Sequence, residues 1–258
     1  MKFLYAVSAL LITGILSLSA LPVTSVPERG YYCPTVKVGY APQLTLKQAL
    51  TSPLWDQMPG YKFKRYITAT AHFDRAPKEQ TTVRYLYSDD NLFVRADCID
   101  SDVISAGKVN QEPHFITGDV VEVFVKPENE TYFWEFYGTP NKLFTCYPYL
   151  SRGMLGLPSP FGPNDVVIGV DSVIDGTFND HRDTDKGWSV VIAIPRKVLE
   201  QYGCKFAPGS KWRLFTSRYN YGAGLPEAEL SSYPQITRGF LSYWYYAKVE
   251  FINLETEK

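Results

Sequence analysis

Gly118-Asp119-Val120-Val121-Glu122-Val123-Phe124 and, further along, Asp185-Lys186-Gly187-Trp188-Ser189-Val190-Val191-Ile192-Ala193-Ile194-Pro195 decide the fold class of this 258-residue chain. Each stretch sets turn-forming residues ahead of a β-branched run, and β-branched side chains fit a pleated, half-buried surface. Successive residues of a strand point to opposite faces, so a polar residue inside such a run marks the outward side or a special site. The two stretches read as two strands of one sandwich.

Working outward, residues 65–73, 81–87, 92–98, 119–126, 132–137, 142–147, 166–174, 188–194, 212–218 and 244–252 are also β-branched and aromatic runs between turn signals. Ser88-Asp89-Asp90-Asn91 has the short polar side chains of a hairpin turn. Pro195 to Gly203 reads as a helix, with Pro at its first turn and Gly just past its end. The segment 40–59, apolar at Leu44, Leu46, Leu50, Leu54 and Trp55, reads as an opening wrap that plugs Trp55 into the sandwich. Glycines and prolines gather at 153–163 and 222–226, which read as loops at the sandwich ends, where binding residues are often carried. The expectation is an all-β protein: a two-sheet antiparallel β-sandwich, jelly-roll-like, with one short helix.

A net charge of −1 leaves no basic excess to release phosphate counterions, which excludes a non-specific nucleic-acid binder. Aromatic residues make up 15 % of the chain, with 19 tyrosines, and rings with a polar tip suit a strand face that meets a sugar as well as they fill a core. Lys2 followed by the apolar stretch 3–18 and by Ser19-Ala20 and Val23-Thr24-Ser25 reads as a signal peptide over residues 1–25. It leaves one domain at 26–258, secreted or periplasmic, with no membrane span after cleavage. Cys33, Cys98, Cys146 and Cys204 allow two disulfides in three connectivities, or four free thiols. Asn129-Glu130-Thr131 is a glycosylation sequon that has meaning in a eukaryotic host.

The ordered set Ser88-Asp89-Asp90-Asn91-Leu92-Phe93-Val94, Gly118 to Phe124, Asn179-Asp180, Asp185 to Trp188, Ile194-Pro195 and Glu229-Leu230-Ser231-Ser232-Tyr233-Pro234 resembles the family 9 carbohydrate-binding modules and their DOMON-like relatives. The resemblance implies a sandwich that binds sugars, often plant-type polysaccharide, without cutting them, in support of glycoside hydrolases. It implies that two clamp tryptophans of the xylanase modules are replaced here by Phe115 or Ile116 and by Phe240. Glu122 matches the family's strand carboxylate, Glu135 and Tyr137 stand where those modules carry Arg and Asn, and Arg218 matches an arginine at the end of its strand. The glutamate expected three residues after Trp188 is Val191.

Other readings stand beside this one. Phe115 and Phe240 also fit as core rings, and Glu122 lies either on a ligand face or in a salt bridge, with Arg218 as the candidate partner. Catalysis is not expected: no Gly-x-Ser-x-Gly or Cys/His arrangement is present, and His72, His114 and His181 lack ligand spacing. In the loop 179–185, Asp180, Asp183 and Asp185 offer the oxygens that suit Ca2+, although the loop lacks the glycine and terminal glutamate of an EF-hand and reads first as a solvated acidic turn with Asp185 as a cap. A haem-binding sandwich would draw its axial ligands from Met58, Met154 and the three histidines. An exported sandwich that serves only as a structural or partner-binding unit is the third reading.

Overall fold

The computed structural model describes residues 33–65, 76–152, 154–155, 166–236 and 239–254, all within one compact unit, Tyr32–Lys258. The signal segment 1–25, most of the 65–73 strand and of the 153–163 loop, His72, and the side chain of Met154 lie outside the described residues. The strands are β1 (Thr35–Tyr40), β2 (Tyr61–Lys62), β3 (Lys64–Arg65), β4 (Thr81–Tyr87), β5 (Asn91–Ile99), β6 (Val120–Pro127) and β7 (Phe133–Gly138). They continue as β8 (Phe144–Ser151), β9 (Met154–Leu155), β10 (Gly169–Asp175), β11 (Gly187–Pro195), β12 (Trp212–Asn220), β13 (Glu229–Tyr233) and β14 (Ala247–Asn253). Two one-turn helices, α1 (Leu46–Ala49) and α2 (Arg196–Leu199), accompany them, so the expected helix after Pro195 is joined by a second in the opening wrap.

All fourteen strands form one hydrogen-bonded sheet in the order β10-β11-β5-β4-β1-β14-β12-β6-β7-β8-β9, with β13 beside β12 and β3, and β2 beside β4. The sheet doubles over into two layers that face each other. A Cβ added at Gly138 of β7 would lie 2.7 Å from the Ile192 side chain of β11, and the Tyr85 hydroxyl of β4 lies 2.9 Å from Thr216 Oγ1 of β12. Between the layers lie Val36, Val38, Val94, Val123, Trp134 and Ile192, all buried. The ladders are antiparallel with one correction: β1 runs parallel to both β14 and β4 and joins the layers at the corner.

Both outer faces are also covered in part. Over β5 and β11, the opening wrap lays Ala41, Leu44, Ala49, Trp55 and Met58 against Phe93, Val191 and Ala193, and Trp55 donates its indole N–H to the Ala49 carbonyl at 2.6 Å. Trp55 is the plug the sequence predicts. The same packing gives Val191 its reason, since a glutamate under that apolar cover would be buried without a partner.

Arg218 does not reach Glu122. Glu122 stands opposite Ser217 and Arg218 opposite Val121, so strand alternation sends the two side chains to opposite faces. Arg218 is fully buried between the layers, where it donates to Asp100 Oδ2 at 2.6 Å, to the Ile99 carbonyl at 2.8 Å, to Thr81 Oγ1 at 3.2 Å and to Asn220 Oδ1. Trp188 donates to the same Asp100 oxygen at 3.0 Å, which ties β11 and β12 together through one carboxylate.

The glycines of the two opening motifs serve this same end of the molecule. Gly118 has φ +145° and Gly187 φ +142°, and a Cβ would lie 2.5 Å from the Ile104 carbonyl oxygen at the first and 2.0 Å from the Cys98 carbonyl oxygen at the second. Neither backbone angle nor space admits a side chain.

The four cysteines are free thiols, so the disulfide expectation is corrected. Cys33 donates to the Trp244 carbonyl, Cys204 accepts from the Tyr132 hydroxyl, and Cys98 and Cys146 sit in the apolar core, where burial raises the Cys98 thiol to about 12.

Asp100→Ala strands a guanidinium in the core, and the unfolding free energy in urea is expected to fall by about 3–5 kcal/mol. Gly187→Ala is expected to cost more than about 1 kcal/mol by the same measurement. An Asp100→Ala protein as stable as the parent would contradict the role given to the pair.

Candidate functional site

The outward positions of β6, β7, β8 and β12 form one chemical surface. Register sets Glu122 opposite Tyr137 and Ser217, Tyr137 opposite Thr145, and Glu135 opposite Phe124 and Tyr147. Of the residues the sequence singles out, Phe115, Glu122, Glu135, Tyr137 and Phe240 therefore meet on this face, and Arg218 lies behind it.

Phe115 is carried by a short 3-10 turn, His114–Ile116. The Tyr221 hydroxyl holds its carbonyl at 2.5 Å, and its ring packs edge-on to Tyr137 (centroids 6.3 Å apart) and tilted on Tyr219 (5.7 Å). Tyr219 in turn meets Phe240 edge-on at 5.8 Å, so three half-buried rings stand in a row across the sheet. Phe240 also closes over Phe124 and Phe215, and its carbonyl accepts from the Tyr246 hydroxyl at 2.6 Å. Ile116, the alternative to Phe115, is 63 % exposed and outside this row.

The acids sit beneath the rings. Ser217 donates to Glu122 Oε2 at 2.8 Å. Glu135 accepts from the Tyr137 hydroxyl at 2.8 Å on one oxygen and from the Tyr149 hydroxyl at 2.5 Å on the other. Glu122 and Glu135 are 2 % and 5 % exposed. Burial, with no cation acting on either among the described residues, raises Glu135 to about 7, and burial plus the neighbouring Glu135 charge raises Glu122 well above the usual carboxylate range. Lys126, on the same side of β6, is held elsewhere. Its Nζ donates to the carbonyls of Pro127, Glu128 and Glu130 and lies 4.9 Å from the centre of the Tyr243 ring.

The face extends past what the sequence marked. Tyr149 stacks on Phe133 at 4.5 Å with parallel planes, Tyr243 meets Phe133 at 5.7 Å, and Tyr147 meets Tyr137 edge-on at 5.5 Å. The signal for Tyr147, Tyr149 and Tyr219 was their spacing of two from each other or from Ser217, the spacing of one strand face.

The proposed calcium loop is a set of anchors. Asp180 pairs with Arg182, Asp183 is exposed, and Asp185 is buried and accepts the backbone N–H groups of Val103 (2.7 Å) and Thr177 (2.6 Å). Their oxygens do not converge, and no group of three His, Cys, Asp or Glu residues suited to a metal occurs among the described residues. Asn179 fixes the same 101–106 segment through the Ser105 N–H and carbonyl. Of the candidate haem ligands, Met58 is buried where the opening wrap packs on the sheet, His114 is bonded to Thr145 Oγ1 at 2.6 Å, and His181 is bonded to Asp102 at 2.8 Å. No described helix is long and apolar enough to cross a membrane.

Residues 49–147 match the family model described as carbohydrate family 9 binding domain-like, the family to which the sequence motifs point. The match contains Phe115, Glu122, Glu135 and Tyr137. Among solved structures, a Bacteroides uniformis protein proposed to bind carbohydrate is similar with TM-score 0.63 at 14 % identity, over 85 % of this chain and 100 % of that one. A carbohydrate-binding module of family 9 from Caldicellulosiruptor kristjanssonii in complex with cellotriose is similar with TM-score 0.56 at 11 % identity, over 86 % and 95 %. Its complex with glucose gives 0.54 at 10 % identity, over 87 % and 98 %. At these identities the likeness is one of fold. No curated protein matches the sequence.

The raised Glu135 makes stability depend on pH with a definite sign. Between about 4.5 and about 7 the folded state holds a proton that the unfolded chain has released, so this contribution is full below 4.5 and is lost as pH rises through 7. Glu135→Gln carries no such proton, and the parent is expected to lose about 3 kcal/mol relative to it between pH 4.5 and 7.5. Parallel denaturation curves for the two proteins across that range check the sign.

Proposed function

We propose that this chain is a non-catalytic carbohydrate-binding protein whose ligand lies on the outer face of β6, β7, β8 and β12. The observation that carries the reading is the row Phe115, Tyr219 and Phe240 standing beside the buried acceptors Glu122 and Glu135. A sugar ring has apolar C–H faces and a polar rim. Aromatic rings bury the first, and carboxylates with phenol oxygens accept hydrogen bonds from the second. The likeness of fold to a family 9 module holding cellotriose and glucose supports the sugar class. Phe115, Tyr219 and Phe240 are half-buried, so each keeps some surface in contact with solvent.

The finer proposal is that the ligand is a plant-type poly- or oligosaccharide, bound outside the cytoplasm in support of glycoside hydrolases acting on the same material. The apolar stretch 3–18 behind Lys2 supports export.

Calorimetric titration with glucose, cello-oligosaccharides and xylo-oligosaccharides is expected to give heat at millimolar concentration or below, with no hydrolysis of the oligosaccharide. Silence with every sugar would remove the proposal. Phe240→Ala, checked for an unchanged melting profile, is expected to weaken binding about tenfold, the loss of one ring contact of about 1.4 kcal/mol.

A further inference from the structure

Tyr221 is attached at two points to one short span of chain. Its backbone N–H donates to Asp119 Oδ1 at 2.8 Å, and its hydroxyl donates to the Phe115 carbonyl at 2.5 Å. The two acceptors are the ends of the segment 115–119, which joins the 3-10 turn His114–Ile116 to β6. One bond would let that segment swing about the contact. Two bonds from a single residue fix its direction.

Tyr221 is itself held firmly. Asp119 is fully buried, and its second oxygen takes the Ile104 N–H at 2.8 Å. Two residues further on, the Ala223 N–H is held by Asp102 at 2.6 Å. Tyr221 also follows directly on β12, two residues after Tyr219, so it starts from the strand that carries the middle ring of the row.

The turn beneath Phe115 has less support of its own. It makes i→i+3 bonds, from the Ile116 N–H to the Pro113 carbonyl at 3.0 Å and from the Thr117 N–H to the His114 carbonyl at 2.9 Å, and bonds of this kind have poorer geometry than those of an α-helix. The contact of His114 with Thr145 and the bond from the Ala106 N–H to the Thr117 carbonyl lie on either side of Phe115. The bond from Tyr221 falls on Phe115 itself. The Phe115 ring meets Tyr137 and Tyr219 edge-on and tilted, and stays half-buried. A ring that stacks on a ligand is useful only if its plane is held by the residues behind it.

Resting on the sugar-binding reading above, we infer that Tyr221 is a positioning residue of the site: its hydroxyl acts through Phe115, holding that ring where it meets the C–H face of a sugar. Tyr221→Phe removes this one bond and keeps the ring and the bond to Asp119.

The test is calorimetric titration at pH 7 of the full chain, Tyr221→Phe, Phe115→Ala and the double variant, with glucose, cellotriose and xylo-oligosaccharides. Tyr221→Phe is expected to weaken binding about three- to tenfold, the scale of one hydrogen bond. In the Phe115→Ala background the same change is expected to alter affinity by less than about twofold, because the ring it positions is gone. Amide hydrogen exchange of the ligand-free proteins supplies a second readout. Exchange at Ile116 and Thr117 is expected to rise about tenfold in Tyr221→Phe relative to the amides of β11. If Phe115→Ala weakens binding and Tyr221→Phe does not, the positioning role is wrong while the sugar site stands. Equal weakening by Tyr221→Phe in both backgrounds overturns the route through Phe115. If no sugar binds the full chain, or Phe115→Ala binds as the full chain does, the reading of the ring row fails and this inference with it. Should Phe115→Ala bind too weakly to measure, unchanged exchange at Ile116 and Thr117 overturns the assignment and faster exchange there supports it.

Discussion

The buried pair of Arg218 and Asp100 is the constraint on which the geometry of the site depends. Two charges taken out of water are tolerable only when each is met by further hydrogen bonds, and here the guanidinium also holds Ile99, Thr81 and Asn220 while the carboxylate also holds Trp188. The contacts reach β4, β5, β11 and β12, in both layers. Because Arg218 must point inward to satisfy them, its neighbours Ser217 and Tyr219 must point outward, and the register of β12 against β6 is fixed. A slip of one residue would bury Tyr219 and place a charged guanidinium on the outer face.

Around this pair the acidic side chains divide into two kinds of work. Asp102, Asp119 and Asp185 accept backbone N–H groups and clamp the 100–106 segment to the ends of β6 and β11 and to the 221–223 turn. Glu122 and Glu135 accept side-chain hydroxyls and, among the described residues, no backbone N–H. The first set is structural, because backbone donors are met and held in one arrangement. The second lies beneath an aromatic surface, held there by side-chain hydroxyls.

The two outer faces of the sandwich have diverged for a related reason. One is sealed by the opening wrap, with Trp55 and Met58 over Phe93 and Val191. The other is covered by Tyr246 and Phe240 only in part, and half-buried rings remain along it. Val191 therefore records a face covered by apolar side chains, and the acids of β6 and β7 record one covered by aromatic rings and hydroxyl donors. Most strands were legible because their alternation is strong: residues 81–87 coincide with β4, and 212–218 lies within β12. β13 was hidden as a strand because Glu229-Leu230-Ser231-Ser232-Tyr233 is small and polar, and its place comes from pairing with β12 and β3. The sequence 244–252 starts as a strand too early, since Tyr243–Tyr245 is a 3-10 turn that swings two aromatic residues toward the site.

By itself the sequence determined the all-β class, the strand carrying Glu122, the Trp55 plug, and the glycines at 118 and 187, because periodicity and backbone freedom are local properties. It also located Phe115, Glu135, Tyr137 and Phe240 through family motifs. Only the tertiary structure decided that Arg218 faces away from Glu122, that Asp180, Asp183 and Asp185 do not converge, that the cysteines stay apart, and that Tyr147, Tyr149 and Tyr219 complete the face. Those outcomes turn on which way each strand's alternation points once it is paired, and on which segments fold over it, and neither is contained in the spacing of residues along one strand.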